Sequence, residues 1–289
     1  MERVAIDLHT HSTASDGLES PENLVRLAAG QGLSILALTD HDTIAGIGRA
    51  AAALPAGLTL VPGAEISCQV EVAGAWVSLH VLAYLFDPAE PAFAAARARV
   101  REHRATRARR MVDRLAADGH PVRWERVLEL AAGTVGRPHI AAVMVEAGLI
   151  PEVAAAFSNR WIGAGGPYWV GKEQPDVWEA LRLIHGAGGV SVFAHPFASR
   201  RGVTVGPEVI EAMAKAGLTG LEVDHPDHLP VARRRLRGLA AELSLVATGS
   251  SDFHGASKPQ GLGAETTSRE AYEALISTAR GAVPITASG

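Results

Sequence analysis

Short apolar runs alternate with helical patterns along this chain, and nearly every run ends in imidazole or carboxylate groups. RVAIDL (3–8) reads as a strand that delivers Asp7, His9 and His11, with Asp16 just beyond. LSILALT (33–39) ends in Asp40, His41 and Asp42. LTLVPGAEIS (58–67) is strand-like with a Pro-Gly break and carries Glu65; the apolar run 76–86 carries His80. GGVSVFA (188–194) precedes His195, GLEV (220–223) holds Glu222 and precedes Asp224 and His225, and SLVATG (244–249) precedes Asp252 and His254. Helical patterns lie between them, at 21–30 after a Ser20-Pro21 start and at 43–53, 176–185, 207–216 and 231–242. This alternation predicts an α/β fold with a parallel sheet or barrel. In a barrel the loops at the C-terminal strand ends converge on one face, so the polar groups should meet there.

Residues 92–160 interrupt the alternation with long helical patterns and little β-propensity. They read as a helical insertion, giving three parts: 1–90, 91–176 and 177–289. The arginine run 97–110 reads as a solvated helix face and 233–237 as an outer helix. His103, His120, His185 and His228 read as surface or structural histidines, and Cys68 as a small buried residue. Arg200 and Arg201 follow the AHP stretch near the expected mouth of the site, without an assigned role. The tail GAVPITASG reads as a short strand or loose end.

With 47% hydrophobic and 20% charged residues, the 289-residue chain has a globular composition, neither disordered nor collagen-like nor coiled-coil. A net charge of −4 is not the footprint of a protein held on duplex DNA, but small anions or short nucleic acids gripped locally remain open. No apolar run is long enough to span a bilayer, and carboxylates stand where a signal peptide needs an apolar core. With one cysteine there is no internal disulfide, and the expectation is a cytoplasmic protein without a membrane partner.

In extended backbone, residues i and i+2 project to the same side. His9 and His11 can therefore aim two imidazoles at one ion, and Asp252 and His254 repeat the arrangement. Imidazole with carboxylate suits Zn²⁺, Mn²⁺ or Fe²⁺. The nine candidate ligands are His9, His11, Asp16, His41, Glu65, His80, His195, Asp252 and His254. Nine exceed what one tetrahedral ion can use, so two or three divalent ions sharing a bridging carboxylate fit better. Such an arrangement can clamp the attacking and leaving oxygens of an in-line phosphoryl displacement.

DLHTHS (7–12), SDG (15–17), LTDHD (38–42), GAEIS (63–67), the strand bearing His80, AHP (194–196) and SDFH (251–254) together resemble the successive motifs of the PHP (polymerase and histidinol phosphatase) family, and most closely its stand-alone nucleotide phosphoesterases. The resemblance implies a distorted (β/α)7 TIM-like barrel with a helical insertion over the substrate. It also implies a trinuclear centre: His9, His11, Glu65 and Asp252 on one ion, Glu65, His80 and His195 on a second, and Asp16, His41 and His254 on a third. His9, His11, Glu65, His195 and Asp252 would carry the catalysis, and Asp7 and Asp40 would orient imidazoles through hydrogen bonds. Asp16 stands where some relatives have histidine.

GRPHIA (136–141) places Arg137 and His139 at a helix start, where free N–H groups, the dipole and a guanidinium fork can take a phosphate. The family carries a similar arginine and histidine, and a histidine near HPDH, which makes His225 a further substrate contact. The expected activity is metal-dependent hydrolysis of nucleoside 3′,5′-bisphosphates, with removal of nucleotides from short RNA 5′ ends as an extension. The partners would be a phosphorylated nucleotide or short single-stranded RNA. An amidohydrolase-type deaminase or amidase is a competing class, but those sites often bridge metals with a carboxylated lysine, and none of Lys172, Lys215 and Lys258 sits on a middle strand. A histidinol-phosphate phosphatase is disfavoured by the insertion and GRPH. A non-catalytic metal-binding module is disfavoured because all nine ligand positions are filled.

Overall fold

The computed structural model of the protein describes residues 5–131, 133–199, 202–256 and 260–287; Arg200, Arg201 and Lys258 lie outside them. Strands β1 (Ala5–Asp7), β2 (Leu33–Leu38), β3 (Thr59–Val72), β4 (Ala75–Tyr84), β5 (Val190–Phe193), β6 (Gly220–Asp224) and β7 (Val246–Gly249) pair in that order. A two-residue strand, β8 (Ile285–Thr286), pairs with β3. The apolar runs thus fall where the periodicity puts them, but the sheet is mixed. β1, β2 and the start of β3 are parallel, as are β5, β6 and β7. β4 runs antiparallel to both β3 and β5. A two-residue turn at Ala73 and Gly74, with φ of 51° and 81°, makes the β3–β4 hairpin. Positive φ at both central positions matches the twist of the flanking strands. The Pro-Gly break does not end β3, because Gly63 fits beneath β4: a Cβ there would lie 2.9 Å from the Ala83 carbonyl.

Helices α1 (Pro21–Gly30), α2 (Ile47–Ala52), α3 (Pro91–Ala117), α4 (Trp124–Ala131), α5 (Arg137–Glu146), α6 (Val177–Gly186), α7 (Pro207–Lys215), α8 (Pro230–Glu242) and α9 (Arg269–Ile276) complete the described elements, with a 3₁₀ turn at Val153–Phe157. Ser20 caps α1 by accepting from Asn23 N, with proline at the first helical position. The sequence pattern does not mark α9, whose buried face consists of only Tyr272 and Leu275. No helix among the described residues is long and apolar enough to cross a membrane.

One face of the sheet gathers Ile6, Ile35, Val61, Leu82, Tyr84 and Val192 into a single cluster with α9. The other face packs against α6, α7, α8 and the first turns of α3 through Phe93 and Ala96. From Ala108 onward, the buried residues of α3 belong instead to a separate core with α4 and α5. A single helix therefore spans two cores, and its middle turns lie between them. Tyr84 ties β4 to the loop after β1, its buried hydroxyl donating to the Leu8 carbonyl at 2.7 Å. Tyr84→Phe should lower the unfolding free energy by about 1–2 kcal/mol in denaturant titrations, since it strands a buried acceptor.

Candidate metal centre

The loops that leave β1, β2, β5, β6 and β7 meet at one place, together with side chains from the middle of the β3–β4 hairpin. His9 and His11 follow β1; Thr10 bridges to Phe253, and the His11 N–H donates to the Phe253 carbonyl at 2.9 Å. Glu65 and His80 project from β3 and β4, and His41 bridges to Glu65. Three residues of this cluster, Asp42, His195 and Asp252, have non-glycine φ values of 56°, 34° and 50°. Left-handed backbone persists at such residues only where surroundings over-determine it. Here the His195 N–H donates to Glu222 Oε2 at 2.6 Å, and the Asp42 N–H to the Glu65 carbonyl at 3.0 Å.

All nine candidate ligands converge. His9 Nε2, His11 Nε2, Glu65 Oε2 and Asp252 Oδ1 lie together, and five of their six separations fall between 3.1 and 3.4 Å. A regular tetrahedron with such edges has its centre about 2.0 Å from each corner, the bond length of zinc to nitrogen or oxygen. Glu65 Oε1 faces His80 Nδ1 at 2.7 Å and His195 Nε2 at 3.0 Å. Asp16 faces His254 Nε2 at 3.4 Å and His41 Nε2 at 3.6 Å. His41 also presents Nδ1 to Glu65 Oε2 at 3.0 Å, so it stands between two groups. The buried Nδ1 atoms of His41 and His80 make no hydrogen bond although carboxylate oxygens lie beside them. Two ring nitrogens aimed at carboxylate oxygens without hydrogen-bond geometry fit residues arranged around cations.

Electrostatics agree. Burial pushes Glu65 and Asp16 upward, but the surrounding imidazoles prevail and hold both well below the usual carboxylate range. Burial, with Arg104 and His11 adding to it, holds His41 well below the usual imidazole value against the pull of Glu65 and Asp16. Burial also disfavours the charged forms of His9 and His11, yet carboxylates outweigh it: Asp252, Glu65 and Glu222 hold His9 well above the ordinary value, and Asp252, Glu65 and Asp16 hold His11 at about 9.

Two expectations need correction. Asp7 and Asp40 hydrogen-bond no imidazole. Asp7 accepts from Ser251 N and Oγ and from Gly263 N, tying the β1 end to the β7 loop. Asp40 accepts from Ser12 N and from the hydroxyls of Ser12 and Ser15, bracing the loop that carries His11 and Asp16. The group that orients an imidazole is Glu222, whose Oε1 lies 3.1 Å from His9 Nδ1. The sequence carries a signal for it: a glutamate inside an apolar strand must have a partner.

The second correction concerns α3. Arg97 is buried, and Arg104 and Arg107 line a pocket that opens beside Asp16, His41 and His80. Arg137 and Lys172 share its wall with the apolar side chains of Val100, Met111 and Phe157. Val100, Arg104, Arg107 and Met111 recur at helical spacing, a stripe that marks a covered face. Burial, with repulsion from neighbouring arginines adding to it, depresses Arg107 to about 9 and Lys172 to about 7. Arg107 Nη2 is buried without a hydrogen bond. His139 turns back to accept from Gly136 N at 3.0 Å and does not line the pocket. His225 is also away from the pocket wall, its Nε2 lying 3.5 Å from Asp252 Oδ2.

The PHP domain model matches residues 7–122. A 5′-3′ exoribonuclease of Haemophilus influenzae is 37% identical over 86% of this chain and 89% of its own. A 3′,5′-nucleoside bisphosphate phosphatase of Chromobacterium violaceum is 34% identical over 86% of this chain and 87% of its own. The chain belongs to the PHP family. In three dimensions it is similar to a structure assigned as a metal-dependent phosphoesterase from Bifidobacterium adolescentis, with a TM-score of 0.88 and 36% identity over 96% of this chain and 97% of that one.

A protein whose His11 holds a proton up to about pH 9 must release it when a cation binds. Because the folded value lies above the ordinary 6.5, this proton stabilises the metal-free fold at pH below that value, and the contribution is lost as pH rises through about 9. Calorimetry of Mn²⁺ or Zn²⁺ binding to chelator-stripped protein, in buffers of differing ionisation enthalpy, should show proton release at pH 7.5 that shrinks by pH 10.

Proposed function

We propose that the protein is a metal-dependent phosphoesterase that hydrolyses nucleoside 3′,5′-bisphosphates to the nucleoside 5′-monophosphate and phosphate, and that short 5′-phosphorylated RNA is a related substrate. The observation that carries this reading is the placement of four cationic side chains, Arg104, Arg107, Arg137 and Lys172, in one pocket beside the imidazole-carboxylate cluster. Cations crowded into one pocket favour a multiply charged anion. A substrate with one phosphate at the cluster and another on the cations satisfies both halves. The relatives named for bisphosphate phosphatase and exoribonuclease activity support the same class.

The donor set fits two or three divalent ions such as Mn²⁺, Zn²⁺ or Fe²⁺, held by His9, His11, Glu65 and Asp252, by Glu65, His80 and His195, and by Asp16, His41 and His254. Ions bound there supply Lewis acidity for attack of water on phosphorus. The chain's own groups do the rest. Glu222 fixes the ring of His9. Arg137, stacked 5.0 Å over Phe157, is held for the non-reacting phosphate at the start of α5. His225 accepts the Asp227 N–H at Nδ1, which leaves the proton on Nε2, facing Asp252 beside the reacting phosphate. His139 supports the phosphate site by capping α5.

We also read the sheet as a distorted (β/α)7 barrel, with residues 91–176 as a helical insertion between two barrel segments, 1–90 and 177–289. The Thr10–Phe253 bridge, which joins the ends of β1 and β7, supports closure, and the separate core around α4 and α5 supports the insertion.

Protein loaded with Mn²⁺ should release phosphate from adenosine 3′,5′-bisphosphate faster than from adenosine 3′-monophosphate. Glu65→Gln should lower kcat by at least about 100-fold, because it removes charge shared by neighbouring ions. Absence of phosphate release from the bisphosphate and from adenosine 3′-monophosphate, together with absence of nucleotide release from short 5′-phosphorylated RNA, would overturn the reading.

A further inference from the structure

Arg104 is anchored on one side and open on the other. Its Nε lies 2.7 Å from Asp42 Oδ2, and its Nη2 donates to Ser67 Oγ at 2.7 Å. Its Nη1 lies 3.8 Å from the position a Cβ would take on Gly136, the residue that precedes the first turn of α5. The guanidinium thus reaches from the metal-side loops to the helix start that carries Arg137.

The anchor itself is rigid. Asp42 is fully buried and accepts from Ser67 N at 2.8 Å and Ser67 Oγ at 2.9 Å. Arg101, one turn before Arg104 on α3, donates to the Asp42 carbonyl at 2.8 Å. Asp42 directly follows His41, while Ser67 lies two residues beyond Glu65 and opposite His80 in the hairpin register. Both anchors therefore belong to the backbone that sets the candidate ligands. A long flexible side chain held this way becomes a spacer of fixed length, and its planar fork makes the orientation specific.

We propose that Asp42 and Ser67 are positioning residues that fix Arg104 between the metal centre and a second phosphate, and that Arg104 thereby selects substrates with two phosphates over those with one. This deepens the functional reading above and rests on it. One edge of the guanidinium is engaged by Asp42 and Ser67. The Nη1 side, together with Arg107 and Arg137, meets the distal phosphate.

The test compares kcat/KM for adenosine 3′,5′-bisphosphate with that for adenosine 3′-monophosphate in wild-type protein and variants. Arg104→Gln should reduce the ratio by about 10–100-fold, chiefly through KM for the bisphosphate, the scale of a charge-assisted hydrogen bond. Arg104→Lys should not restore it, because an ammonium cannot span both anchors and the phosphate. Asp42→Asn keeps the shape and tolerates the left-handed backbone, and should reduce the ratio by about 10-fold. Ser67→Ala, the mildest change, should produce a smaller drop in the same direction. If Asp42 acts through Arg104, the double variant Asp42→Asn/Arg104→Gln should be no worse than Arg104→Gln alone. Metal content should match wild type throughout. An undiminished ratio in Arg104→Gln, losses that multiply in the double variant, or loss of metal from Asp42→Asn would each overturn the positioning role while leaving a wild-type preference for the bisphosphate intact. A wild-type protein that cleaves neither nucleotide would instead overturn the functional reading, and this inference with it.

Discussion

A buried carboxylate surrounded by imidazoles is the constraint on which the rest of the structure depends. Glu65 lies within 3.4 Å of His9, His11, His41, His80 and His195, and its side chain is almost wholly buried. Taking an ionised group out of water is costly unless opposite charge and hydrogen bonds replace the solvent. The five imidazoles come from four remote stretches of chain, so the fold must bring the ends of β1, β2 and β5 against the β3–β4 hairpin before the carboxylate is compensated. The left-handed residues Asp42, His195 and Asp252 mark where the backbone bends to achieve this. Glu222 holds the bend at His195 and Asp7 ties Ser251 just before Asp252, while Asp40 braces the loop that carries His11 and Asp16, each by accepting hydrogen bonds from neighbouring loops.

Much of this is legible in the amino-acid sequence. Each strand end carries its own polar signature, and the i, i+2 spacing of His9 and His11 has a direct geometric consequence. The strands themselves are readable because each is a short apolar run bounded by turn residues. Direction is not readable: β4 is as apolar as the strands on either side of it, and only the Ala73–Gly74 turn dictates that it doubles back on β3. Alanine at a position with positive φ gives little warning of a tight hairpin, where asparagine or glycine would do so. The short α9 escapes because eight residues with two buried side chains give too weak a period.

The pocket is harder to foresee than the metal cluster, for a related reason. Metal ligands are chemically distinctive wherever they occur, but arginines on a helix are ordinarily solvated. What brings Arg104 and Arg107 inward is the packing of α3 against two cores at once, which covers its middle turns. Lys172 arrives from a loop whose next residues also reach other parts of the chain: Glu173 meets His103, and Gln174 reaches Ser78. The sequence places Asp7 and Asp40 correctly beside the ligands, yet their partners depend on loop paths that no local pattern encodes.

The imidazole-carboxylate cluster and the arginine-lined pocket lie side by side, and the proposed chemistry requires this, with cations held on one side and positive side chains on the other. Anomalous diffraction from crystals grown with Mn²⁺ and inorganic phosphate measures this most directly. Two or three manganese peaks should appear, enclosed by His9, His11, Asp16, His41, Glu65, His80, His195, Asp252 and His254, with phosphate density between them and Arg137. A map without manganese among those side chains, or with phosphate bound only elsewhere, would contradict it.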